Sequence, residues 1–267
     1  MRGADRLQAI LGGGVAGLAG GLFGVGGGIV LIPLLTRRFG ATQHQAHGTS
    51  LAVIGLSAIA GVIVYALHGH VVWTTAAVVA VAGALTARFG ARWATRTSSV
   101  GLARAFAVLL ALVAVRLLLL HGLTGRASPL HHGLTGVAID LGLGAAVGVL
   151  AGYMGVGGGI LAVPVFILVL GMDPPTAQGT SLAVIMVSGP AGAIEHARHG
   201  NVIGRLVPAL AIGAVVGAPL SSWVAQLLPH LVLVRSFAIF LLLTAVLTWF
   251  RPPPATRPAE VALERVG

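Results

Sequence analysis

The segment Gly24-Val25-Gly26-Gly27-Gly28-Ile29, followed by Pro33, returns as Gly155-Val156-Gly157-Gly158-Gly159-Ile160, followed by Pro164, at an offset of 155 − 24 = 131 residues. At the same offset, Gly48-Thr49-Ser50-Leu51-Ala52-Val53-Ile54 returns as Gly179-Thr180-Ser181-Leu182-Ala183-Val184-Ile185. His68-Gly69 matches His199-Gly200, and Arg104 and Phe106 match Arg235 and Phe237. About half of the positions from Gly24 to Val71 are identical without a gap, which chance does not produce. The chain is a duplication, so any fold it adopts must be built from two related halves.

Each half is almost entirely apolar. Of 267 residues, 57% are hydrophobic and only 8% charged, with a mean hydropathy of +0.99. Soluble domains carry about 25% charged residues, so this chain lacks the means to cover a water-facing surface. A helix crosses a bilayer with roughly 20 apolar residues. Four such segments occur in each half: Leu7–Thr36, His44–Leu67, Val71–Phe89 and Gly101–His121, then Ala138–Leu168, Gln178–Ala197, Val202–Val224 and Leu231–Phe250. The expected fold is an all-α polytopic membrane protein. Residues 1–121 form the first repeat, 122–137 a connecting loop, 138–250 the second repeat, and the Pro252-Pro253-Pro254 tail over 251–267 is expected to be disordered. The apolar stretch after Arg2 and Arg6 runs straight into the repeated motif, so it reads as mature fold and not as a signal peptide.

The first segment of each half is broken in its middle by glycine. It is either a discontinuous span or a re-entrant hairpin, and arginine placement separates the two. If every segment crosses once, the arginines divide almost evenly between the two sides. If the glycine-broken segment turns back, one side collects Arg2, Arg6, Arg37, Arg38, Arg88, Arg92, Arg96, Arg104, Arg198, Arg205, Arg251, Arg257 and Arg265. The other keeps Arg126 and Arg235, with Arg116 near its edge. The second pattern satisfies the positive-inside rule. It gives each half an odd number of crossings and makes the halves inverted repeats, an arrangement that places substrate sites near the bilayer midplane. Both chain ends then lie in the cytoplasm. Eight single spans in two parallel repeats are the alternative.

Four glycines in five residues make a poor helix, each costing nearly 1 kcal/mol relative to alanine. Such backbone survives at membrane depth only against protein or a water-lined cavity. A half-helix starting near Gly28 would aim free N–H groups and its positive dipole end at that cavity. Gly24, Val25, Gly26, Gly27 and Gly28, with Gly155, Val156, Gly157, Gly158 and Gly159 from the other half, are therefore candidate ligands of a small anion. Thr49, Ser50, Thr180 and Ser181 add hydroxyl donors without fixed charge; capping or backbone bonding is the equal alternative. Gly13, Gly17, Gly20 and Gly21 read as helix-packing positions.

Asp140 and Glu195 are candidate proton- or ion-coupling groups, against the plainer readings of a helix cap and an ion pair with Arg198. Histidine pairs occur at His44/His47, His196/His199, His68/His70 and His131/His132. They would suit a divalent-metal permease, yet they sit at segment ends with few carboxylates, and interfacial histidine is the plainer reading. No metal site and no cofactor is expected. The net charge of +10 rests on sixteen arginines that mark topology, so nucleic acid is not an expected partner. Without cysteine or lysine there is no thiol chemistry and no Walker-type phosphate loop. No nucleophile motif appears, so the chain is not expected to be an enzyme.

With its Gly-Val-Gly-Gly-Gly-Ile…Pro and Gly-Thr-Ser-Leu-Ala-Val motifs in both halves, the chain resembles the TauE/SafE sulfite exporter family from the first broken segment to about Phe250. The family pattern falls on Gly24, Gly26, Gly27, Gly28, Pro33, Gly48, Thr49 and Ser50, and on Gly155, Gly157, Gly158, Gly159, Pro164, Gly179, Thr180 and Ser181. The resemblance implies a bacterial inner-membrane permease exporting sulfite or an organosulfonate. Its partners would be that small anion, the lipid bilayer and a coupling proton or ion, with a homo-oligomer left open. The second repeat departs at Pro190 and Glu195-His196, where the first has Ile59 and Val64-Tyr65, so the halves are expected to contribute unequally.

Overall fold

The computed structural model describes residues 3–94, 99–119, 133–154 and 158–250. Among these, ten helices form and no strand. The first half gives α1 (Gly3–Phe23), α2 (Gly28–Arg38), α3 (Gln43–Leu67), α4 (Trp73–Ala94) and α5 (Ser99–Leu118). The second gives α6 (Leu134–Met154), α7 (Gly159–Leu168), α8 (Pro174–Arg198), α9 (Val207–Leu227) and α10 (His230–Phe250). Six of these, α1, α3, α6, α8, α9 and α10, are long and apolar enough to cross a membrane. Large side chains such as Leu11, Val15 and Leu18 stand exposed along α1. They form an outward apolar stripe of the kind that faces lipid or another protein.

Local chemistry sets the helix limits. Thr42 and Gln45 close a capping box at the start of α3. Asp173 accepts from the Thr176 N–H ahead of Pro174 and Pro175, so α8 begins four residues before Gln178, where hydropathy alone placed it. Helix α6 likewise begins at Leu134, inside the stretch expected to be loop.

The glycine break returns the chain along α1. An ideal Cβ on Gly20 would lie 2.8 Å from the Gly26 carbonyl carbon, and one on Gly27 would lie 2.1 Å from the Ala16 carbonyl oxygen. Further along, Gly12 meets Leu34, and Arg38 pairs with Asp5 at 3.5 Å. The segment is thus a hairpin: α2 starts level with Ala16 and ends beside the first turn of α1.

The most extensive of the remaining contacts run between halves. Helix α1 runs parallel to α9, with Gly13, Gly17 and Gly21 pressed against the carbonyls of Leu210, Ala214 and Ala218. Helix α4 runs parallel to α6 in the matching way, Val79 against Gly144 and Gly83 against Gly148. Helices α3 and α8, themselves repeat equivalents, cross the centre antiparallel, with Gly48 beside His196, Gly55 beside Pro190 and Tyr65 beside Gly179. Between α1 and α9 the small residues let backbones touch without intervening side chains. Replacing Gly213 with leucine, whose Cβ would lie 1.9 Å from the Ile10 carbonyl oxygen, should part α1 from α9 and cost about 1–3 kcal/mol. A clear drop in the melting temperature of the purified protein would show it, and an unchanged melt would refute the packing.

Following these directions, Arg6, Arg37, Arg38, Arg88, Arg104, Arg198 and Arg205 gather at one end of the bundle, while Arg116 and Arg235 lie toward the other. This is the distribution expected of a broken segment that turns back.

Candidate functional site

Three glycines in the first break, Gly24, Gly26 and Gly27, have φ of 70°, 72° and 82°. That left-handed region excludes ordinary side chains at modest cost only to glycine. The turn they make ends at α2, whose Val30 and Leu31 N–H groups bond the Gly27 carbonyl. In the other half, Leu161 and Ala162 bond the Gly158 carbonyl in the same way. The N–H groups at each start have no partner inside their helix. Gly155, Val156 and Gly157 lie outside the described residues.

The two breaks come together at the α3–α8 crossing. A Cβ on Gly159 would lie 3.3 Å from the Val25 Cα and 2.3 Å from Ile185 Cδ1, and one on Gly26 would lie 3.3 Å from Ile54. Between them is a cavity of about 10 Å³ bounded by Val25, Leu51, Ile54, Gly158, Gly159, Ile185, Ser188 and Gly189. That volume accepts about one water molecule. The start of α7, at Gly158 and Gly159, and Val25 of the first break therefore border one small space in the middle of the protein, while Gly27 at the start of α2 packs against Ala16 of α1.

The Gly-Thr-Ser motifs hold this arrangement in place. Ser181 donates to the Gly24 carbonyl at 2.8 Å and lies 3.3 Å from the Gly159 carbonyl, so it bridges both breaks. Ser50 is equally buried. Thr49 accepts from the Ile203 N–H at 2.9 Å and Thr180 from the Val72 N–H at 3.1 Å. These two bonds are repeat equivalents, each pinning the loop of the opposite half. Gly48 and Gly179 admit those loops, since a Cβ there would lie 2.2 Å from the Asn201 carbonyl and 2.1 Å from the His70 carbonyl. Sequence reasoning found every residue of the motif, but not that its threonines reach across to loop amides. Only the three-dimensional crossing of the halves reveals that.

Tyr65, seen in the sequence only as a departure between the repeats, joins three helices. Fully buried, its hydroxyl lies 2.8 Å from the Gly21 carbonyl and 3.0 Å from Gln178 Oε1, tying α1, α3 and α8 together. The repeat equivalents of Tyr65 and Gln178 are His196 and His47, near Gly48 at the opposite end. The halves thus close the same seam with different chemistry. His47 also contacts the Gln43 amide at 3.2 Å.

Glu195 stands at the surface, 3.4 Å from Arg198, as its spacing predicts. Asp140 differs from the cap reading. It lies within α6, 5% exposed, and accepts from the Thr75 hydroxyl at 2.8 Å. Among the described residues, no three His, Asp or Glu side chains converge as a metal site; His131 and His132 lie outside those residues.

The profile of the family described as sulfite exporter TauE/SafE matches residues 2–117 and 141–266. The chain belongs to the TauE/SafE family. It is 32% identical over 243 residues to a probable membrane transporter protein of Xylella fastidiosa strain Temecula1, covering 90% of this chain and 93% of that one. A probable membrane transporter protein of Xylella fastidiosa strain 9a5c is 31% identical over 80% of this chain and 82% of its own length. The probable membrane transporter protein YunE of Bacillus subtilis is 26% identical over 86% and 92%. No solved structure matches the chain. Family membership together with the apolar helices makes this TauE/SafE protein a multi-pass membrane transporter.

Proposed function

We propose that the protein is a secondary carrier that exports a small sulfur oxyanion, sulfite or an organosulfonate, across the bacterial inner membrane by alternating access. The observation that carries this reading is the meeting of both glycine-broken segments at one central cavity, where Val25 faces the start of α7 and no charged side chain takes part in the lining. Helix termini hold anions this way, and weak dipole-based holding suits a site that must also release. The antiparallel run of α3 and α8 supports inverted repeats, and the gathering of arginines at the end bearing Asp5 supports a cytoplasmic location for both termini.

The cavity accepts about one water, so the described state is closed. Loading requires the α3–α8 crossing to loosen, and Ser181 then exchanges its bond to Gly24 for one to the anion. Asp140, buried inside a span, is the candidate coupling group; Glu195, exposed to solvent, is a weaker one. Uptake of radiolabelled sulfite into proteoliposomes tests the reading. Saturable flux competed by methanesulfonate is the expected result. Absence of flux for sulfite, sulfonates and other small anions in well-folded protein, with flux in a divalent-metal panel, would replace it by metal transport.

A further inference from the structure

We propose that Arg38 and Arg205 form an oxyanion-capture vestibule at the arginine-rich end of the protein, loading the central site from that side only. This inference rests on the anion-carrier reading above. Asp5, Arg38, Phe39, Arg205 and Leu206 bound an open cavity of about 240 Å³, roomy enough for a polyatomic anion where the central cavity is not. Arg38 has two neighbours at the cavity. Its guanidinium lies 3.5 Å from Asp5 and 5.8 Å from the ring centre of Phe39. A contact of that length is not the bidentate carboxylate pair an arginine fork can make, so donors remain for a second acceptor. Arg205 is exposed and forms no ion pair with any described residue. Two cations against one carboxylate leave the cavity positive.

The backbone that carries Arg205 is held in place. It sits in the turn before α9, where Gly204 N–H bonds the Val202 carbonyl, Leu206 N–H bonds the Ile203 carbonyl, and Ile203 N–H bonds Thr49. The conspicuous threonine of the repeated motif therefore positions a vestibule arginine. Helix α2 connects the two cavities: Arg38 ends it and Gly28 begins it beside the breaks. Eleven residues separate the sites by about 16 Å.

The duplication supplies an internal comparison. The repeat equivalents of Asp5, Arg38 and Arg205 are Gly136, Val169 and Thr74, all uncharged. The corresponding positions at the opposite end carry no cation, and Thr74 lies in the first turn of α4 where Arg205 lies in the turn before α9. Topology alone asks for arginine somewhere on one side. It does not ask for two of them around one cavity with an aromatic and a carboxylate orienting the first. A positive concave mouth raises local anion concentration and association rate, and having it at one end gives the carrier a loading face.

The test uses full-length protein and sulfite as the probe, with inside-out and right-side-out membrane vesicles to separate the faces, and calorimetric binding in zwitterionic-lipid nanodiscs. Arg205→Gln and Arg38→Gln should each raise KM about tenfold for sulfite arriving from the terminus-bearing face, with maximal rate unchanged. KM from the other face should not move, and the maximal rate from that face should fall by the same factor, since a carrier cannot alter the equilibrium across the membrane. Arg205→Lys should restore most of the affinity, Asp5→Asn should tighten it, and wild-type KM should rise with ionic strength more steeply than that of Arg205→Gln. Saturable flux with KM unaltered from both faces overturns the vestibule while leaving the carrier reading standing. If wild type carries no sulfite, nanodisc binding lost in Arg205→Gln supports the site although the carrier reading fails, and no binding in wild type overturns the site. Effects confined to vesicles with anionic phospholipid would assign the arginines to lipid headgroups and overturn soluble-anion capture.

Discussion

Gly159→Val should lose sulfite flux by about 100-fold while its melting temperature stays within roughly a few degrees of wild type. The new Cβ would lie 2.3 Å from Ile185 Cδ1, the free end of a flexible side chain that can turn aside, and 3.3 Å from the Val25 Cα, which is backbone and cannot. The valine would fill the one space shared by both breaks and hold them apart. Gly27→Val serves a different purpose. Its side chain would meet the Ala16 carbonyl at 2.1 Å from a backbone φ of 82°, so the hairpin itself should fail and flux should vanish together with folding. Proteoliposome flux and thermal melts on the same preparations separate the two. Normal flux in folded Gly159→Val protein would place the transport path elsewhere. Should that variant melt early, Gly159→Ala must show a smaller loss of flux with a near-normal melt, or the site assignment falls.

The hairpin that brings Gly159 to Val25 was legible in the sequence because two independent signals agreed. Clustered glycine said that the helix must break, and the arginine count said that the chain must return. The duplication located both breaks without any knowledge of their partners. What stayed hidden were contacts between halves. Nothing in Gly-Thr-Ser indicates that Thr49 will take the Ile203 amide, since the bond spans 154 residues and depends on how two helices cross. The role of Tyr65 stayed hidden for the same reason: one buried tyrosine in an apolar segment carries no local pattern, and its partners Gly21 and Gln178 belong to α1 and α8. Boundaries slipped where capping outweighed hydropathy, at Asp173 for α8. Of the polar asymmetry of the seam, only the departure of Glu195-His196 from Val64-Tyr65 was visible between the repeats; that of Gln178 from His47 was not noticed. Its meaning needed the antiparallel crossing.

Asp140 was misplaced by such a boundary, and it carries the second large expectation. Because α6 begins at Leu134, the carboxylate lies about 9 Å along the helix, facing Thr75 of α4 and not at a helix end. Carboxylates at that depth are costly and are retained where a proton or ion passes. Its repeat equivalent is Ala9, so the first half has no counterpart. Asp140→Asn keeps the shape and can still accept from the Thr75 hydroxyl, but it cannot carry a proton. Sulfite accumulation driven by an imposed pH gradient should fall at least about tenfold, while sulfite–sulfite exchange without a gradient stays near wild type. Exchange needs only the two breaks and their cavity, whereas net movement against a gradient needs a group that changes protonation with the transport cycle. Glu195→Gln, at an exposed ion pair worth little in water, should leave both measurements unchanged. Full gradient-driven accumulation in Asp140→Asn would exclude Asp140 as the coupling group. Loss of exchange as well would make it a structural support of the α4–α6 contact instead.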